Sequence, residues 1–352
     1  MNILRALDRI GVDRFTMMLV ATVCLATLLP ARGVAAQALP TVTEIAIGVM
    51  FFLYGARLPR ETVIKGLANW RMHALILVST FVLFPLVAWA MVAAVPLHLP
   101  ADVRTGILFL ATLPSTVQSS IAFTSIARGN VAAAITSASA SSLIGIVVTP
   151  LLTGIVLSAH GGVSAHQILA IALQLLFPFV AGQLLRPWIG AWAHRHEAVL
   201  KHTDRGSILL VVYGAFSEAV IGGIWHQLPA QDFAIVIVLN GVLLALILGA
   251  TTGLSRLFGF AKEDEIAIVF CGSKKSLASG VPMASVLFAG HAIGVIVLPL
   301  MLFHQIQLMV CAILARRFAA RPIDRAPAAV LPPDTARLRD DDGRRPRSAA
   351  AR

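Results

Sequence analysis

Apolar residues run along this chain in stretches too long for strands and too evenly apolar for helices wetted on one face. Ten such stretches can each cross ~30 Å of hydrocarbon as a helix. They lie at about 15–31, 41–57, 71–96, 104–126, 130–157, 166–188, 206–225, 232–255, 264–289 and 292–315. Short polar turns separate them, as at Arg57-Leu-Pro-Arg60, Ala127-Arg-Gly-Asn130 and Gly161-Gly162. The pattern predicts an all-α polytopic membrane protein of ten transmembrane helices. Ten divides into two sets of five, and because five is odd the second set enters the membrane from the opposite side, as in inverted-repeat transporters. The expected divisions are an N-terminal segment (1–14), a first five-helix repeat (15–157), a second (166–318) and a C-terminal tail (319–352).

Composition supports lipid as the solvent: 58% of the 352 residues are hydrophobic and 13% charged, against roughly 25% charged in soluble domains. The net charge of +11 could suggest nucleic acid, but its distribution does not. Ten of the 28 Lys and Arg lie from Arg316 onward, in a Pro/Ala/Arg/Asp tail too poor in apolar residues to fold and expected to stay disordered. Counted by loop, 24 of the 28 fall on one side of the ten-span assignment, and only Arg32 and Arg104 on the other. The positive-inside rule then puts both termini in the cytoplasm. Residues 1–38 also have the layout of a secretory signal, with Ala36-Gln-Ala38 as a cleavage site. The long apolar run, and the second span that follows within ten residues, favour a retained first span. Cys24, Cys271 and Cys311 fit no metal or disulfide spacing.

The remaining two cations, Lys274 and Lys275, stand inside the ninth stretch. Mid-bilayer charge costs ~2.5 kcal/mol or more and is rarely kept without use. Here the fourth and ninth stretches, partners in the two halves, are interrupted alike. One runs to Pro114 and continues Ser115-Thr-Val-Gln118-Ser119-Ser120; the other runs to Gly272 and continues Ser273-Lys274-Lys275-Ser276. Proline breaks a helix by removing a donor and clashing with the preceding turn. In hydrocarbon the freed polar groups are tolerated only beside protein or a water-filled cavity. Two breaks in register therefore point to a midplane site, with the following half-helices aiming positive ends at anionic groups. An ordinary proline kink remains the plain alternative for either break alone.

An unwound Gly272 would let both lysines face one side. One is then expected to bind a substrate carboxylate, sulfate or phosphate, the other to stand where a coupling cation sits. In the alternative they pair with a buried acid such as Glu218 for structure only. Thr136, Ser139 and Ser142 on the fifth stretch form a polar stripe toward the fourth, readable as cavity lining or as close helix packing. Glu44, His73, His304 and Gln305 carry less weight. The expected binding set is Gln118, Ser119, Ser120, Thr136, Ser139, Ser273, Lys274, Lys275 and Ser276. No H-E-x-x-H, G-x-S-x-G, C-x-x-C or phosphate-loop spacing is present; no enzyme activity, cofactor or nucleic-acid partner is expected.

Four stretches, Phe51–Arg57, Leu113–Asn130, Phe270–Pro282 and Leu298–Gln307, resemble the bile acid:sodium symporter superfamily. The branch is its SBF-like bacterial one, related to vertebrate solute carrier family 10 member 7. The likeness runs from about 5 to 318. It implies broken helices 4 and 9 crossing in a core domain (segments 3–5 and 8–10) beside a panel domain (1, 2, 6 and 7), and alternating access for organic anions such as bile acids, steroid sulfates or pantoate-like acids. It also marks departures. Phe270 stands where sodium-coupled members have a ligating Glu, Lys274 and Lys275 where they have Gln and Asn, and Ala134 and Ala138 where they have hydroxyls. The expectation is a secondary transporter of a small organic anion whose sodium sites are lost, a lysine ammonium replacing the ion. Coupling would be to protons or to nothing. The expected partners are the bilayer and that anion, in a monomer or homodimer. The alternative is a non-transporting regulatory membrane protein acting on ion homeostasis or envelope synthesis.

Overall fold

A computed structural model describes residues 14–57, 69–94, 99–158, 165–221, 223, 229–289 and 291–321. Most of the N-terminal segment and nearly all of the tail expected from sequence lie outside these residues. The elements are α1 (Arg14–Leu28), α2 (Val34–Arg57), α3 (Trp70–Val78), a π-helical turn (Ser79–Leu83), α4 (Phe84–Ala94), α5 (Ala101–Thr112), α6 (Gln118–Ile126), α7 (Val131–Ser158), α8 (Ala165–Arg195), α9 (Glu197–Ile221), α10 (Ala230–Leu257), α11 (Lys262–Gly272), α12 (Leu277–Leu287) and α13 (Ile293–Ala319). All described regular structure is helical, and it falls along the ten stretches read from sequence. Five described helices are long and apolar enough to cross a membrane: Val34–Arg57, Trp70–Ala94, Val131–Leu157, Gln231–Leu257 and Ile293–Ala319.

Burial sorts these helices by role. Every residue of 106–116 and of 265–277 is buried, the signature of rods surrounded by protein on all sides. By contrast α8 and α10 expose large apolar side chains, among them Phe177, Leu184, Trp188, Val238 and Leu246, the faces a lipid solvent accepts. The main core joins both kinds of rod, holding Phe109 and Leu277 from the buried ones together with Leu243 and Leu244 from α10.

Close packing of α2 on α8 depends on two glycines. A Cβ on Gly55 would lie 2.1 Å from the Phe179 carbonyl oxygen, and one on Gly182 would lie 2.0 Å from that of Phe52. Small residues allow this backbone approach, the main source of helix association where no hydrophobic drive separates protein from lipid. Gly182→Ala should therefore push the helices apart and destabilise by about 1–3 kcal/mol, as overpacking does. Gly241→Ala, in α10 with nothing near the added carbon, should be neutral or stabilising by up to ~1 kcal/mol through helix propensity. Thermal melts of the two variants in one detergent check the contrast; equal melting temperatures would refute it.

Candidate site at the paired helix breaks

Three interruptions, on three separate stretches of chain, converge on the side chain of Lys275. The first is at Pro114. The residue before a proline is driven to extended backbone, and Leu113 has φ −69° and ψ 154°, so α5 stops at Thr112 and α6 restarts at Gln118. The second is the 273–276 link between α11 and α12, where Ser276 is extended and its hydroxyl caps α12 by accepting from the Ser279 amide at 3.2 Å. The third is the π-helical turn. There the Phe84 amide bonds the Ser79 carbonyl, and the next residue, Pro85, has no N–H to give. The Thr80 carbonyl is thereby left without a helical donor.

The freed backbone groups can be traced one by one. The Lys275 Nζ donates to the carbonyls of Thr80 at 2.7 Å, Ala111 at 2.6 Å and Leu113 at 2.7 Å, and lies 4.2 Å from the Phe84 ring centre. Thr149 donates to the Thr112 carbonyl at 2.9 Å, and the Ser276 amide to that of Pro114 at 2.9 Å. The last of these joins the two broken helices directly. The Ser115 amide donates to Ser141, and Ser120 donates to the Phe270 carbonyl at 3.0 Å. Gln307 closes the Lys275 backbone from both sides, its Oε1 accepting from the amide at 2.9 Å and its Nε2 donating to the carbonyl at 2.9 Å. Gly145 leaves room for Pro114, whose Cβ would otherwise stand 2.6 Å from an added carbon.

Lys274 takes the other side of the chain. Its Nζ lies 4.1 Å from the Phe123 ring centre and 5.3 Å from that of Phe270. It is fully buried and has no hydrogen-bond partner among the described residues. The two lysines therefore point apart, where one shared face was expected. Glu218 is exposed and is not the buried acid anticipated for them; among the described residues no ion pair reaches either lysine. The exposed azimuth of Glu218 follows from its neighbours: Ser217 and Ala219 are the inward residues of that turn.

Beside the breaks lies a cavity of about 740 Å³. Both half-helices present their first turns to it, with Gln118 and Ser119 from α6 and Leu277, Ala278 and Ser279 from α12. Ser139, Ser142, Ser276 and His304 add polar groups, while Phe15, Phe51, Phe179 and Ile146 supply an apolar wall. At one edge Arg57 holds Asp204 through contacts of 2.8 and 2.7 Å, and Arg205 lines the same edge. Two helix N-termini, each equivalent to roughly half a positive charge, and Arg205, the Arg57 charge being offset by Asp204, leave this space net positive and anion-favouring.

Of the binding residues expected from sequence, Gln118, Ser119, Ser139 and Ser276 line the cavity. Ser120, Ser273 and the two lysines are buried behind it: Ser273 donates to the Val269 carbonyl at 2.6 Å, and Thr136 turns back onto Ala132. Sequence reasoning missed Thr80, Thr149, Gln307, Arg57, Asp204 and Phe123. Pro85, following Ser79 and Thr80, was the available signal for the first of these.

The family model described as SBF-like CPA transporter family matches residues 13–320. An uncharacterised protein of Pseudomonas aeruginosa is 57% identical over 318 residues, covering 90% of this chain and 96% of its own length. The Escherichia coli K12 protein YfeH is 52% identical over 307 residues, covering 87% and 92%. Rat sodium/bile acid cotransporter 7 is 28% identical over 321 residues, covering 88% and 94%.

The geometry separates the lysines experimentally. Lys275→Met leaves three buried carbonyls without a donor and should cost ~3–5 kcal/mol, the scale for removing one side of a buried charged contact. Lys274→Met removes a cation that has no acceptor and should be neutral or stabilising. Melting temperatures of the two purified variants decide this, and equal losses would contradict it.

Proposed function

The chain belongs to the SBF-like CPA transporter family and is a multi-pass membrane protein; we propose that it is a secondary transporter carrying a small organic anion by alternating access, without sodium. The observation that carries this reading is the shared cavity: two half-helix N-termini, a hydroxyl and amide lining, Arg205 and an Arg57–Asp204 pair beside one apolar wall. That combination suits an anion with a sizeable apolar body. The rat relative is named as a sodium/bile acid cotransporter, and an amphipathic carboxylate or sulfate of that kind matches the two-sided lining.

The ten helical stretches act, in this proposal, as ten spans in two inverted repeats of five, with the fourth and ninth broken at the centre of a core domain. The Lys and Arg asymmetry and the bacterial relatives support an inner-membrane location with cytoplasmic ends. Loss of sodium is supported by the residues themselves. Ala134 and Ala138 are buried in an apolar cluster with Ala267 and Cys271, and Phe270 is buried among aromatic rings. Sodium needs a cage of oxygens. The three carbonyls that converge around Lys275 already hold an ammonium, and the Thr116, Ser119 and Ser120 hydroxyls bond one another.

Uptake of radiolabelled taurocholate and of a panel of smaller carboxylates into proteoliposomes tests the proposal. Flux of at least one anion is expected, unchanged when choline replaces sodium. Ser139→Leu, which fills the cavity wall, should abolish that flux while the protein still melts near its native temperature. Strict sodium dependence would contradict the sodium-free reading. Absence of flux across the panel, from protein that melts normally, would favour a non-transporting role instead.

A further inference from the structure

The three-carbonyl nest accounts for Lys275, but Lys274 is left without a partner and the cavity reading does not use it. Its surroundings are unusual for a mid-membrane cation. The Nζ is fully buried without a hydrogen-bond acceptor among the described residues, held only by the faces of Phe123 and Phe270. The titratable groups facing it are Cys271, on its own stretch of chain, and Cys311 from α13. Both are buried free thiols. Lys275 follows it in sequence but turns its own charge to the opposite side.

One wall of this chamber is shared with the cavity. Phe123 is half-buried, lines the 740 Å³ space, and also covers Lys274 at 4.1 Å. A single aromatic ring therefore separates an unpartnered amine from the space that, on the proposed function, opens to water and binds the anion. Phenylalanine rotates about two side-chain bonds, and α6 is only nine residues long and joined to α5 through the Pro114 break. Phe123 takes no part in the carbonyl nest, so a swing of its ring would open Lys274 to the cavity and leave the nest in place.

We propose that Lys274 exchanges a proton with the cavity through a gate formed by the Phe123 ring, making it the proton-carrying group of the transport cycle. The step is a simple transfer: the ammonium N–H bond breaks, its electron pair stays on nitrogen, and the proton passes to cavity water or to the bound anion. The reverse step reloads the amine from the opposite side of the membrane. The two adjacent lysines then divide the work, one fixed and one exchanging. The proposal rests on the cavity reading for its transport consequence but not for its chemistry, so the first measurement needs no substrate.

That measurement is pulse acetylation of the full-length protein in liposomes with acetic anhydride, which reacts with the unprotonated amine, quantified at each lysine by peptide mass spectrometry across a pH series. Lys274 should be acetylated at a rate that rises with pH. Phe123→Ala should speed it about tenfold, equivalent to easing the opening by 1.4 kcal/mol; Lys275 should stay unmodified in both proteins. Phe123→Leu, which keeps an apolar core residue, should give a smaller acceleration and guards against a misfolded alanine variant. Lys274 inert at every pH in all three proteins, or Lys275 equally reactive, would overturn the proposal. In the flux assay Lys274→Gln should remove the pH dependence of uptake; uptake by this variant that keeps its native pH profile would likewise overturn it. If the native protein moves no anion, the cavity reading fails while the acetylation result still decides this one.

Discussion

Backbone carbonyls that no helix can satisfy set the terms for the centre of this protein. In a membrane interior an orphaned carbonyl has no water to turn to, and here three of them, from Thr80, Ala111 and Leu113, meet at one point. A single ammonium with three N–H bonds satisfies all three at once. Because the ammonium belongs to the link between α11 and α12, the same contact ties that break to the one at Pro114 and to the π-helical turn. Gln307 fixes the backbone that carries it. The arrangement is a staple through the middle of the molecule.

The position of everything else near the site follows from this staple. With Lys275 turned to one side, Lys274 lies on the other, against Phe123 and Phe270. With the two breaks bound together through Ser276 and Pro114, the first turns of α6 and α12 open onto a common cavity. The hydroxyls of α7 split between two tasks along the helix. Ser141 and Thr149 complete the hydrogen bonding of the Pro114 break, and Ser139 and Ser142 face the cavity. Of the stripe read from sequence, Ser139 and Ser142 line the cavity and Thr136 bonds back to Ala132.

The sequence disclosed what rests on local rules. Pro114 marks a broken helix because proline acts on its own backbone, and the apolar stretches mark the helices because each is long enough to be read alone; Gly272 ends α11 without a positive φ. The fate of Lys275 was not legible in this way. It depends on Thr80, about 195 residues away in the chain, whose carbonyl is free only because a π-helical turn precedes Pro85. Nor could composition say which way Glu218 faces, since one residue on a helix turns the side chain by about 100°. Thr136 and Ser139 share a helix face, yet Thr136 bonds back to Ala132 while Ser139 lines the cavity, a difference of position along the helix that spacing alone does not give.

The central claim is that an ammonium, and nothing more of the side chain, completes the carbonyl nest. Melting of purified Lys275→Ala against rising methylammonium, in parallel with the native protein, tests it most directly. Alanine leaves a cavity the size of the missing head and stem, and methylammonium supplies the head. The account predicts that the variant melts low and is restored toward the native temperature by methylammonium, with the native protein unaffected. A variant that melts like the native protein, or one that gains no more than the native protein does at any concentration, would contradict it.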